Sequence, residues 1–311
     1  MTALRLVFAG TPAAAVPSLR LLAASRHELV GVVTRPDAPL GRKRVLTPSP
    51  VASAAAELGL PTIKAARLDQ AASDAIAALE PELGVIVAYG GLVREPLLST
   101  PRLGWINLHF SLLPAWRGAA PVQHSIIAGD AEQGAAVFQL VPELDAGDVF
   151  AEIRRPADRL ATAGETLERF AVDGAELLAR VVDELAEGTA HAEPQLGSPS
   201  FAPKLSIEDG RLDWARPAAE VLARFRGVTP EPGAWSELNG ARVKVLDARL
   251  AEGAPASGEL APGVLGPERK RLLVGAGDAA IELLRVQPAG RAAMPAADWG
   301  RGLPAGARFA R

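Results

Sequence analysis

Apolar residues recur along the front of this chain in two rhythms: short unbroken runs, and stretches spaced for one face of a helix. Residues 4–10 read as a buried strand closed by a turn. Residues 13–24 place Val16, Leu19 and Leu22 on one helical face, and residues 29–33 form a second strand. Strand, helix and strand in that order predict parallel pairing through a right-handed crossover. The alternation continues with helices over 51–58 and 71–79, strands over 61–63 and 83–88, and a strand through Asn107 and His109. Pro121 suits the first turn of a helix over 121–128. Strands over 135–140 and 150–153 follow, then a long amphipathic helix over 166–186 carrying Leu167, Phe170, Leu177 and Val181. The expectation is an α/β domain over residues 1–187, built on a Rossmann-like, mostly parallel sheet.

Two stretches break the rhythm. Residues 34–50 hold four prolines, one glycine and the run Arg42-Lys43-Arg44, which reads as a long loop. It is either a solvated surface loop or a basic flap that closes on a polyanion. Residues 188–203 lose periodicity and gain Pro, Gly and Ser, the composition of a linker. Beyond them, strand-like runs at 212–214, 233–236, 243–246, 272–274 and 281–286 surround one helix over 218–225. That spacing predicts a small β-barrel over 204–311.

Composition supports this division. A chain of 311 residues exceeds the usual span of one core, and 49% hydrophobic content suffices for two. There is no cysteine, so disulfides, thiolate metal ligands and a cysteine nucleophile are excluded. The start runs straight into a strand without the pattern of a signal peptide, and no apolar run is long enough to span a bilayer. A soluble, cytoplasmic protein with no membrane partner is expected. Residues 1–203 carry 17 Lys+Arg against 23 Asp+Glu, a net −6, whereas residues 204–311 carry 16 against 13, a net +3. A basic tail on an acidic body is one mark of a polyanion-binding module.

Candidate chemistry gathers in one place. Asn107 and His109 lie two apart on the predicted strand and share a face, with Ile106, Leu108 and Phe110 on the other. An amide and an imidazole at core positions cost stability unless something uses them. The turn Ser111-Leu112-Leu113-Pro114 puts the pair at the strand's exit, where open α/β sheets bind ligands. Asp145 follows in Leu144-Asp145-Ala146-Gly147-Asp148, a loop that glycine loosens. Asn, His and Asp together can bind a developing oxyanion, shuttle a proton and orient the imidazole. Ser111 lacks the strained turn of a serine nucleophile, no histidine pair has metal-ligand spacing, and Gly10-Thr11-Pro12 is not a dinucleotide fingerprint.

These residues, with Arg117-Gly118, closely resemble the folate-dependent formyltransferases. The resemblance extends to Phe8-Ala9-Gly10-Thr11-Pro12, to Ala88-Tyr89-Gly90, to residues 116–123 and to residues 144–148, and it sharpens toward members that act on methionyl-tRNA. In the tail, Pro230-Glu231-Pro232-Gly233-Ala234-Trp235 is similar to the N-P-x-P-G-A-W region of their second domain, with Thr229 in place of the Asn. Met294 to Trp299, then Arg301-Gly302, resembles their terminal element, while Ala13-Ala14 replaces an acidic-aromatic pair. The resemblance implies that Asn107, His109 and Asp145 surround the formyl carbon of 10-formyltetrahydrofolate, with Asp145 holding the His109 tautomer. It implies a folate site lined by Ser111, Leu112, Leu113 and Pro114, beside Tyr89 and Gly90, and no metal. The acceptor would be the α-amine of methionine on initiator methionyl-tRNA, held by Arg42, Lys43, Arg44 and an OB-like barrel over 204–311. The protein would act as a monomer. The alternative acceptor is an amino-sugar nucleotide.

Overall fold

The computed structural model describes residues 2–41, 44–252 and 260–310. The chain divides into two compact units: Met1–Pro121, Glu132–Pro156 and Leu167–Pro203 in the first, and Val122–Ala131, Ala157–Thr166 and Lys204–Arg311 in the second. Residues 188–203 thus group with the first unit, and two short segments from the front of the chain group with the second.

In chain order the elements are β1 (Arg5–Gly10), α1 (Val16–Ala23), β2 (Glu28–Thr34), β3 (Ala38–Leu40), β4 (Val45–Thr47), α2 (Pro50–Glu57), β5 (Thr62–Lys64), α3 (Gln70–Ala77), β6 (Leu83–Val87), β7 (Trp105–His109) and β8 (Arg117–Gly118). There follow α4 (Pro121–Ala128), β9 (Glu132–Gln139), β10 (Val149–Pro156), α5 (Ala163–Glu187), β11 (Phe201–Ala202) and α6 (Ala218–Gly227). The tail adds β12 (Trp235–Leu238), β13 (Ala241–Leu250), β14 (Leu265–Pro267), β15 (Leu272–Gly275), β16 (Ala280–Pro288), β17 (Met294–Pro295) and α7 (Ala296–Gly300).

The main sheet of the first unit has the order β10-β9-β7-β6-β1-β2-β5. The strands from β7 through β5 pair in parallel, as the strand–helix alternation predicts, while β9 and β10 add antiparallel at the other edge. β7 therefore has a parallel neighbour on one side and an antiparallel one on the other. Three of the helices, α2, α3 and α5, start where side chains satisfy their first amides. Ser49 accepts from the Ala52 N–H and Asp69 from the Ala72 N–H, each at 3.0 Å. Thr162 and Glu165 form a capping box, Glu165 accepting from the Thr162 N–H at 2.8 Å and Thr162 from the Glu165 N–H at 3.3 Å. That box starts α5 at Ala163, earlier than hydrophobic spacing predicts.

Residues 34–50, expected as a loop, contain a hairpin in which β3 pairs antiparallel with β4. Its strands are exposed, so no apolar alternation marks them in the sequence. The hydroxyls of Thr34 and Ser49, 2.7 Å apart, close its base. The strand expected at 212–214 is reduced to an isolated bridge between Arg211 and Trp235.

The second unit is an antiparallel, OB-like sheet of order β12-β13-β16-β15-β14, with β17 on β16. Its core is aromatic at one end. Phe309 stacks on Trp214 (5.5 Å, 12°) and on Trp299 (6.3 Å, 24°), and the Trp214 indole donates to Ser236 Oγ at 2.9 Å. Among the described residues no helix is long and apolar enough to cross a membrane.

β7 is set by Trp105. Its fully buried ring lies over β6 at Gly84, its register partner, and its indole donates to the Leu97 carbonyl at 2.9 Å. A Cβ on Gly84 would come within 2.1 Å of the ring, so no side chain fits there. Gly84→Ala should therefore destabilise the fold by about 1–3 kcal/mol, as overpacking does. Thermal unfolding of the variant checks this; an unchanged melting temperature contradicts the assigned register.

Candidate active site

His109 ends β7 as a buried imidazole, set edge-on to the Phe138 ring at 6.2 Å. Its Nε2 lies 2.9 Å from the Trp116 carbonyl oxygen. A carbonyl only accepts, so this bond places a proton on Nε2. In the neutral ring Nδ1 is then bare, and it faces Asp145 Oδ2 at 3.9 Å, too far for a direct hydrogen bond. The expected arrangement is corrected here: the Trp116 carbonyl holds the tautomer, and Asp145 stands at the opposite nitrogen. Burial lowers the pKa of His109 below its ordinary value, a shift opposed by the charge of Asp145 and by the bond to Trp116. The buried ring is thus held neutral, with its open lone pair toward a carboxylate.

Three backbone turns make this geometry. Leu113-Pro114 is a cis peptide, and Ser111 Oγ donates to the Ala115 carbonyl at 2.6 Å, closing the Ser-Leu-Leu-Pro turn. Trp116 is left-handed (φ 64°), and its carbonyl is aimed at the ring of His109. The next turn brings the Gly118 N–H to Asp145 Oδ2 at 2.7 Å. Gly118 has φ 124°, and a Cβ there would sit 2.7 Å from the Ala202 carbonyl oxygen. On the far side, Gly147 is required by contact rather than for looseness, since its Cβ would lie 1.7 Å from the Gln139 carbonyl oxygen.

Asn107 shares the face of His109 on β7 and is half-buried; among the described residues its side-chain amide makes no hydrogen bond. Its donors remain available to a ligand. The other expected site residues fall into different settings. Ser111 is buried, its hydroxyl spent on the turn. Leu112 packs against β9 at Gly134, and Leu113 joins Ala136 and Phe138 in a small buried cluster. Tyr89 is a core residue whose hydroxyl donates to the Ala65 carbonyl at 2.8 Å, leaving no part of its ring presented to a ligand. Gly90 is exposed with φ 79° beside it. Arg44 sits exposed at the turn of the β3–β4 hairpin; Arg42 and Lys43 lie outside the described residues. Among the described residues no group of three or more His, Asp or Glu side chains is arranged to hold a metal ion. The Trp116 carbonyl and the Gly118 amide are backbone groups, which no residue type announces; the tight turn Trp-Arg-Gly was the available signal.

A family model described as formyl transferase matches residues 4–182, and one described as formyl transferase, C-terminal domain, matches residues 204–304. The chain is 62% identical over 299 residues to a methionyl-tRNA formyltransferase of Leifsonia xyli subsp. xyli, covering 96% of this chain and 97% of that one. It is 51% identical over 323 residues to a methionyl-tRNA formyltransferase of Acidothermus cellulolyticus, covering 98% and 100%. Among solved structures, an N-formyltransferase from Helicobacter canadensis, in complex with folinic acid and dTDP-3-aminofucose, shares the fold. It has a TM-score of 0.70 at 16% identity, over 92% of this chain and 99% of that one. HypX from Aquifex aeolicus matches 96% of this chain with a TM-score of 0.66 at 18% identity, and this chain spans 48% of its length. With both parts of the sequence matched in chain order, the chain belongs to the formyl transferase family.

Proposed function

We propose that this protein transfers the formyl group of 10-formyltetrahydrofolate to the α-amine of methionine carried by initiator methionyl-tRNA, for translation initiation. The observation that carries the chemistry is the buried His109, its Nε2 proton committed to Trp116 and its bare Nδ1 facing Asp145. Support for the acceptor comes from relatives at 51–62% identity that bear this activity in their names over nearly their whole length.

Attack of the amine on the formyl carbon places negative charge on the formyl oxygen and leaves an extra proton on the attacking nitrogen. Asn107 offers its free amide hydrogens to that oxygen, and a donor already aimed at developing charge costs no reorganisation. His109 accepts the proton at Nδ1, where Asp145 stabilises the imidazolium across the gap. The folate nitrogen needs a proton as it departs, so the pair returns what it took and no net proton is consumed.

The tRNA is assigned to the basic run Arg42-Lys43-Arg44 and to the second unit. On the latter, Arg242 lies over the Trp235 ring at 4.1 Å and Arg211 at 5.6 Å. Register brings Lys244 opposite Trp235 on one face of the sheet. Cations gathered around a buried aromatic ring suit a phosphate backbone.

A transfer assay with charged initiator methionyl-tRNA and radiolabelled 10-formyltetrahydrofolate tests the reaction. Label should appear on tRNA-bound methionine and fall by about 10²–10³ or more in kcat for His109→Ala and Asn107→Ala. Label released as free formate, or transfer only to an amino-sugar nucleotide, would overturn the acceptor. Once the ionisation of the attacking α-amine is factored out, the kcat of the parent enzyme should hold steady through neutral pH and fall only as pH drops below the ordinary imidazole value of 6.5, because burial lowers the pKa of His109 and the neutral ring is the active form. An acid limb above that value contradicts the assigned state. Arg42→Ala should weaken kcat/KM for tRNA and reduce its salt slope by about 1, leaving the KM for folate unchanged. Equal losses for both substrates would remove this basic run from the tRNA site.

A further inference from the structure

Residues 188–203, whose composition reads as a linker, are fastened to the turns that build the site. At one end Glu193 exchanges both backbone hydrogen bonds with Val149, at 2.8 and 3.0 Å. At the other, β11 runs parallel to β8. Ser200 Oγ accepts the Trp116 N–H, and the Ser200 carbonyl accepts the Arg117 N–H, both at 2.9 Å. Gln195 stands between these attachments. Its Oε1 accepts from Arg117 Nε at 3.1 Å and Nη2 at 2.6 Å, and its Nε2 donates to the carbonyls of Asp145 and Gly147, each at 2.8 Å. A flipped amide would set donors against a guanidinium and an oxygen against two carbonyls, so this network admits one orientation.

Asp145 needs such a hold. Its φ of 46° is left-handed, a conformation that residues with a Cβ seldom adopt and that its surroundings here help to hold. Its carboxylate is fixed by the Gly118 N–H, while its carbonyl is fixed by Gln195. Arg117, the other partner of Gln195, immediately precedes the residue supplying that N–H. One side chain therefore joins the donor turn to the acceptor turn.

We propose that Gln195 is a positioning residue for the transfer reaction, holding the main chain of Asp145 so that its carboxylate stands at the Nδ1 side of His109. The proposal rests on the catalytic reading of the His109–Asp145 pair. Two variants of the full chain test it. Gln195→Met keeps the side chain's length and loses every hydrogen bond. Gln195→Glu keeps an acceptor for Arg117 and sets oxygens against the two carbonyls, so it tests the loop even where the first variant folds poorly.

Both variants should lose about ten- to a hundredfold in kcat, the cost of a misplaced catalytic group, with KM for both substrates within about twofold of the parent. In Gln195→Met, which adds no charge, the acid limb of kcat should move to lower pH, because the charge of Asp145 that raises the pKa of His109 has moved away. In an Asp145→Asn background, followed by single turnover, Gln195→Met should cost less than about threefold, since residues acting as one unit are not additive. Equal losses in both backgrounds with an unmoved acid limb would make Gln195 merely structural, and parent-like kcat in both variants would also overturn the proposal. Full activity of Asp145→Asn alone would instead sink the catalytic reading of the pair.

Discussion

The hydrogen bond from His109 Nε2 to the Trp116 carbonyl is the constraint around which the site is assembled. A buried imidazole with both nitrogens unpaired would be a liability, and one with both paired would have nothing left to react. Committing Nε2 to a carbonyl resolves this. The ring is fixed in angle and tautomer, Nδ1 is left bare, and burial favours the neutral ring. In the reaction proposed above, Asp145 at 3.9 Å stabilises the cation once it forms.

Holding that bond requires backbone conformations that ordinary residues avoid. Trp116 and Asp145 both adopt positive φ, and Gly118 and Gly147 come so close to neighbouring carbonyls that no side chain fits. Strain of this kind is tolerated where the surroundings over-determine it. The surroundings here are β7, seated by Trp105 over Gly84, the closed Ser-Leu-Leu-Pro turn, and the strap of residues 193–202. The stretch lacking apolar rhythm is therefore among the most heavily hydrogen-bonded parts of the site.

The second unit solves a different problem. Its aliphatic core is closed at one end by the stack of Phe309 with Trp214 and Trp299. Trp235 has its indole tied to the Ile207 carbonyl at 2.8 Å and carries Arg242 over its ring. A tryptophan held this way serves core and surface together, burying apolar area while setting the position of a cation.

Much of this was legible in the residues alone. The parallel order of β1, β2 and β6 follows from strand–helix alternation, and Asn107 and His109 stand out because polar groups at core positions on a strand demand a reason. The OB-like tail follows from its short strands and its motifs. The hairpin at 38–47 was hidden because both its strands are exposed and carry no apolar alternation, and α5 begins early because a capping box outranks hydrophobic spacing. What only the tertiary structure decided was how groups distant in sequence meet. The proton on Nε2 depends on a backbone carbonyl, Asp145 on a backbone amide, and Gln195 on three partners in two turns. Side-chain chemistry is written into the sequence residue by residue, whereas the aim of a peptide group is set by the φ and ψ that packing imposes.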